Sequence, residues 1–241
     1  MKNALFAFLA CVCLPVLPCA AQDDVPSADE ILSSMREMTV SQGERDVTGN
    51  IRTNRSKTKI PFGLSARGET ICFQYKEGEA WKRFDVRIRE KNAELALVED
   101  GKARVMSPAG YTQIIPGSDL CYEDLSLRFL YWKGGRVLAD GADSRIKGRD
   151  CYVVEVANPQ PKVGQFARVR LWLDKENGTA WQIDGYGADG RLLKRFSITS
   201  VKKLSDGSWF FKEMKVEVRD PQNPDRTKAL NYLTVENIPS K

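Results

Sequence analysis

The chain has 241 residues, 42% hydrophobic and 29% charged, which at roughly 150 residues per domain describes one large or two small globular domains and excludes wholesale disorder. Its 37 Lys and Arg against 32 Asp and Glu leave a formal charge of +5, too weak and too spread for a nucleic-acid binder. Histidine is absent, so no Ser-His-Asp triad, Cys-His pair, HExxH zinc site or imidazole acid–base can exist.

Met1-Lys2-Asn3 is a short basic start, Ala4 to Leu17 is almost unbroken apolar sequence, and Cys19-Ala20-Ala21 precedes polar Gln22-Asp23-Asp24. This pattern predicts a secretory signal peptide over residues 1–21, shorter than the ~20 apolar residues that span a bilayer. Cys19 after Val16-Leu17-Pro18 raises a lipoprotein alternative, against which Pro18 stands where a small residue is expected. Export would remove Cys11, Cys13 and Cys19 and leave Cys72, Cys121 and Cys151. In an oxidising compartment two of these would pair, in any of three ways; buried inert thiols are the equal alternative. Their wide spacing and the lack of histidine point to no metal, and no cofactor is indicated.

Pro26 to Thr39 reads as a helix, with Ser27 as its cap, Asp29 and Glu30 in its first turn, and Ile31, Leu32, Met35 and Met38 on one apolar face. After Gly43 the period shifts towards 2. Strands are predicted at 46–53, 69–76, 80–90, 93–99, 102–107, 150–158, 166–174, 179–186, 191–203, 208–219 and 226–236. In the second of these Ile71, Phe73 and Tyr75 share a face. Asn177-Gly178, Asp189-Gly190 and Asp206-Gly207 are hairpin signals. Between the two groups of strands a Pro- and Gly-punctuated loop, 107–120, leads into a second predicted helix from Tyr122 to Trp132, in which Leu125, Phe129 and Trp132 keep helical spacing and Gly134-Gly135 end it.

The expected fold is mainly β, a single curved antiparallel sheet forming an incomplete barrel closed by one or two helices, with 22–241 as one domain. Carboxylates are plentiful, but most read as solvated turn or outward strand residues, so no catalytic pair stands out. Arg83, Arg87 and Arg89 share a strand face with Trp81, which is read as an exposed face made soluble by charge. The concave side of such a sheet needs an apolar filler. Candidate cavity residues are Ile31, Leu32, Met35, Met38, Phe73, Tyr75, Phe129 and Trp132, with permanent core as the plain alternative.

From Tyr122 onward the chain resembles the outer-membrane lipoprotein-sorting proteins of the LolA-like superfamily. The matching blocks are Tyr122-Glu123-Asp124-Leu125-Ser126 with Phe129-Leu130-Tyr131-Trp132, Gly148-Arg149-Asp150-Cys151-Tyr152, Val169 to Asp174, Gly190 to Phe196, Lys212-Glu213-Met214 and Arg219-Asp220-Pro221. The resemblance implies a half-barrel in which acyl chains of a lipoprotein enter an apolar concavity while helices move aside. It implies a periplasmic, non-enzymatic, monomeric carrier of lipid or lipoprotein. Its partners would be acyl chains and inner- or outer-membrane proteins, not nucleic acid. A sensor of the RseB type, which binds envelope lipids and a regulatory protein, is the alternative.

Overall fold

The computed structural model describes residues 25–43, 46–89, 92–138, 144–204 and 209–238. The signal-peptide expectation falls outside the described residues, as does the side chain of Met38.

One antiparallel sheet of 14 strands dominates. In chain order the strands are β1 (Val47–Thr53), β2 (Lys59–Arg67), β3 (Thr70–Glu77), β4 (Ala80–Ile88), β5 (Ala93–Glu99), β6 (Lys102–Val105), β7 (Arg136–Leu138), β8 (Arg145–Ile146), β9 (Arg149–Ala157), β10 (Arg168–Asp174), β11 (Ala180–Tyr186), β12 (Leu192–Lys203), β13 (Trp209–Arg219) and β14 (Thr227–Asn237). Spatially they run β6-β5-β4-β3-β2-β1-β14-β13-β12-β11-β10-β9-β7, with β8 paired to β9 beside this path. The sheet is open. The first and last strands pair at its centre, and two meanders run outward from them to the edges β6 and β7.

This topology dictates what covers the concave face. Residues 106–135 leave one edge at β6 and arrive at the other at β7, so they must cross a face of the sheet. On that face the inward residues of β2, β3 and β4 stack as Phe62, Phe73 and Phe84, with ring centroids 5.5 and 5.2 Å apart. The helix α1 (Ala28–Gly43), which precedes β1, lies on the same side against β2 and β7.

Three strands lie outside the sequence expectations. β2 is interrupted by Pro61 and Gly63, which read as loop punctuation, yet Ile60, Phe62 and Ala66 are buried. Its pairing with β3 stops at Phe62↔Tyr75, one residue short of Pro61, where a missing N–H is tolerated. β7 and β8 are three and two residues long, too short for any alternation to register.

The convex face corrects the reading of the carboxylates as solvated charges. Glu155, Arg170, Asp184, Arg195 and Glu217 stand directly opposite one another across β9 to β13, alternating in sign along one row. Arg195 grips Asp184 through Nε at 2.8 Å and Nη2 at 2.6 Å, and Arg136, Arg168 and Arg170 converge on Glu155 at 2.6, 2.7 and 3.1 Å. Asp184 and Glu155 are buried beneath these guanidiniums. Burial pushes the Glu155 carboxyl up, but its three arginines outweigh burial and hold it below the ordinary value of 4.5. Glu213, beside Arg52, Thr199 and Thr234, and Glu217, beside Lys215, Arg219 and Arg195, are lowered against burial in the same way. A depressed carboxyl contributes stability above its unfolded value and loses it as pH falls through the folded one. The melting temperature is therefore expected to fall as pH drops below about 4.5; a profile flat to pH 3 would contradict this role for the row.

Of the two readings of the cysteines, the structure has the buried thiols and not the disulfide. Cys72, Cys121 and Cys151 are free, buried thiols. Cys72 on β3 and Cys151 on β9 are eight strand steps apart in the sheet, roughly 38 Å along it at ~4.8 Å per step, far beyond the ~7 Å a disulfide can bridge. Cys72 faces the convex side beside Arg83, whose Nη2 donates to its Sγ at 3.2 Å. Cys121 is turned to Gln165, whose Nε2 lies 3.0 Å from its Sγ.

Candidate functional site

The start of α1 is set as its sequence suggests. Ser27 N–H donates to Glu30 Oε2 at 2.8 Å, and Glu30 N–H donates back to Ser27 Oγ at 3.3 Å, a reciprocal cap. Ala28, Leu32 and Met35 follow at helical spacing and are buried, with Ile31 partly so. Gly135 permits the close approach at the helix start, since a Cβ there would lie 2.8 Å from Val156 and 3.1 Å from the Ala28 Cβ. One side chain ties α1 to the crossing segment. Arg36 donates from Nε to the Leu130 carbonyl at 2.5 Å and from Nη2 to the Trp132 carbonyl at 3.1 Å.

The crossing segment is built of short pieces. A 3₁₀ turn over Pro108–Thr112 places Tyr111, whose hydroxyl accepts from the Leu95 N–H at 3.1 Å. Then come Ile115 and Leu120, both fully buried, and α2 (Tyr122–Ser126), started by Asp124 Oδ2 accepting from the Cys121 N–H at 2.7 Å. The single helix expected through Trp132 is broken. Leu127 is left-handed at φ 46, and a separate 3₁₀ turn covers Arg128–Tyr131.

The reason is electrostatic. Five residues along a helix place two side chains about 140° apart, out of reach of each other. The break turns Arg128 back onto Glu123, with Nε 2.9 Å from Oε1 and both side chains 0% exposed. Beyond it Phe129 meets the rings of Trp132, Phe166 and Phe196 at centroid distances of 6.3, 6.1 and 6.0 Å.

Around this break lies a buried polar cluster that nothing in the sequence pattern singled out. Glu123 Oε2 accepts from the Gln165 N–H at 2.5 Å, and Asp124 is paired with the buried Lys194 of β12. Arg128 Nη2 donates to the Val163 carbonyl at 2.6 Å, and its guanidinium lies 5.1 Å from the centroids of both Tyr111 and Trp132. Burial raises the Glu123 carboxyl against the pull of Arg128. Burial works against the Lys194 ammonium, but Asp124, Cys121 and Glu123 outweigh it and keep it charged. Gly164, at φ +82, makes room for this arrangement, because a Cβ there would sit 2.1 Å from Glu123 Oε1. Three buried donors on the same stretch have no partner among the described residues: Arg128 Nη1, the Tyr131 hydroxyl and Trp132 Nε1. The one signal available beforehand was the three charges, Glu123, Asp124 and Arg128, inside the mostly apolar run Tyr122 to Trp132.

Of the candidate cavity residues, Leu32, Met35, Phe73, Tyr75, Phe129 and Trp132 are buried in one continuous apolar cluster on the concave side, and Ile31 packs at its margin. They come from α1, the crossing segment and β3, so the structure brings them to one face. Trp81, on the opposite meander face, is 54% exposed, and Arg83 beside it is held by Asp85 at 2.8 Å.

A family model described as an uncharacterized protein matches residues 99–236, more than half of the chain. The chain belongs to that family, and its fold is LolA-like. No curated protein sequence matches it. A LolA superfamily protein from Nitrosomonas europaea superposes with TM-score 0.67 at 16% identity, covering 90% of this chain and 94% of that one. A DUF1329 family protein from Desulfovibrio piger gives TM-score 0.64 at 17% identity over 89% and 93% of the two chains. A Vibrio parahaemolyticus domain named for outer-membrane lipoprotein sorting gives 0.58 at 17% over 88% and 92%. The family match spans the whole crossing segment and Lys194, and it leaves α1 and β1 to β4 outside.

Proposed function

We propose that this LolA-like chain is a periplasmic, non-enzymatic carrier that binds acyl chains of lipids or lipoproteins on its concave face. The observation that carries this reading is that the apolar lining of an open sheet is covered by α1 and by the crossing segment, neither of which belongs to the strand ladder. An acyl chain offers the same apolar contact and can take their place. Supporting it, the covering segments hold three buried donors without acceptors among the described residues, a kind of group that costs up to about 1–3 kcal/mol when left unpaired, which weakens the closed arrangement. Phe73 and Tyr75 would line the sheet side of the site, and the displaced apolar faces of α1 (Ile31, Leu32, Met35, Met38) and of the crossing segment (Phe129, Trp132) would flank the chain, with methionines at two of these positions suiting chains of varied shape.

Arg36 holds the cover shut through two charge-assisted hydrogen bonds to carbonyls. Losing even one such bond, about 1.5 kcal/mol, shifts a closed–open equilibrium about tenfold. Arg36→Ala is expected to bind a fluorescent fatty acid about tenfold more tightly than the parent chain, read by titration. Unchanged or weaker binding by a folded variant would remove the gating role from Arg36. Absence of co-purifying lipid and of fatty-acid binding in the parent would overturn the carrier reading itself.

A further inference from the structure

At the margin of the apolar face, where Tyr75 and Tyr122 end it, the structure holds a cavity of about 180 Å³. Its floor is a pair of tyrosines, Tyr75 of β3 and Tyr122 of α2, 2% and 6% exposed, with hydroxyl oxygens 2.7 Å apart. Burial pushes both phenols up, so both stay protonated at neutral pH. Two hydroxyl protons then face one hydrogen bond between them, and the second proton has no acceptor among the described residues. Leu97 and Pro116 form apolar wall. At the rim stand Glu77 and Glu99, close enough to act on the tyrosines electrostatically, and Lys82. None of these three charges makes a hydrogen bond or ion pair with the described residues, whereas the neighbouring Arg83 is taken by Asp85.

The pocket thus offers one buried O–H and one ammonium for an anionic oxygen, two carboxylates for a cation, and room for a small polar molecule in place of several waters. We infer that this cavity binds a small zwitterion carrying a primary ammonium and an anionic oxygen, with the chemistry of phosphoethanolamine, free or as a lipid headgroup. The ammonium lies between Glu77 and Glu99, and the anionic oxygen takes the free tyrosine proton and Lys82. In its lipid form the assignment deepens the proposed function and rests on it, because Tyr75 and Tyr122 also belong to the concave apolar cluster.

Calorimetric titration with phosphoethanolamine, and with vesicles of phosphatidylethanolamine against phosphatidylglycerol, tests it on the full chain, with fatty-acid binding measured in parallel. Preference for the ethanolamine form is expected, falling about tenfold or more in Glu77→Gln/Glu99→Gln and about tenfold in Tyr122→Phe. The double glutamine variant changes only exposed rim groups, so fatty-acid binding should be retained in it. Binding of free phosphoethanolamine without vesicle binding keeps the pocket and places its ligand in solution. No binding of either form, or equal loss for ethanolamine and glycerol lipids in the variants, overturns the pocket even where the fatty acid still binds. Loss of fatty-acid binding alone strikes the carrier reading and not the pocket.

Discussion

Arg128→Met is expected to cost about 3–5 kcal/mol of folding stability, the range for removing one partner of a buried ion pair. The size follows from the geometry. Arg128 and Glu123 are both wholly buried, and each carboxylate oxygen of Glu123 has a single donor, Arg128 Nε on one and the Gln165 N–H on the other. Without the guanidinium the carboxyl must take up a proton or sit uncompensated, and the turn at Leu127 loses the contact that closes it. Arg128 has its own orphan, Nη1, and packs between Tyr111 and Trp132, so methionine keeps part of the apolar contact while removing the charge. Glu123→Gln combined with Arg128→Met should recover part of the loss, because no unpaired charge is left. Urea unfolding checks both: the single variant moves the midpoint with little change in slope, and the double moves it back. A loss below about 1 kcal/mol in the single variant would show that the pair adds nothing and that the break at Leu127 has another cause.

Phe129→Ala is expected to cost a similar 3–5 kcal/mol, the range for truncating a fully buried aromatic ring. Phe129 is where the crossing segment meets the sheet, touching Phe166 and Phe196 below and Trp132 beside it. On the carrier account this variant has a second signature. The vacated volume lies on the concave face, so a fatty-acyl probe should bind the folded variant more tightly than the parent, while its stability is lower. Denaturation and probe titration on one preparation separate the two effects. Lower stability with unchanged or weaker probe binding would mark Phe129 as plain core.

Much of this fold was legible because its signals are local. Alternation placed eleven strands with small shifts at their ends, and the Ser27–Glu30 cap marked the start of α1. β2 was not legible because Pro61 and Gly63 carry loop chemistry that only its place between β1 and β3 overrides. The break at Leu127 was hidden for a related reason. Leu125, Phe129 and Trp132 do keep helical spacing, but the ion pair of Arg128 with Glu123 outweighs that spacing, and nothing in the local sequence marks the two as partners. Burial of Glu123, Asp124 and Lys194 is a consequence of a segment crossing from one sheet edge to the other, and no window of sequence carries that information. Separation along the sheet also keeps Cys72 from Cys151, which sequence alone left free to pair.

On the carrier reading an acyl chain takes the place of α1 and the crossing segment on the concave face. Hydrogen exchange of the full chain, with and without a bound long-chain fatty acid, tests it most directly. Amides of residues 28–36 and 122–132 are expected to exchange faster when the fatty acid is bound, while the ladder of β1, β13 and β14 keeps its protection. A bound fatty acid that leaves those two segments as protected as before, or that adds protection to them, would contradict it.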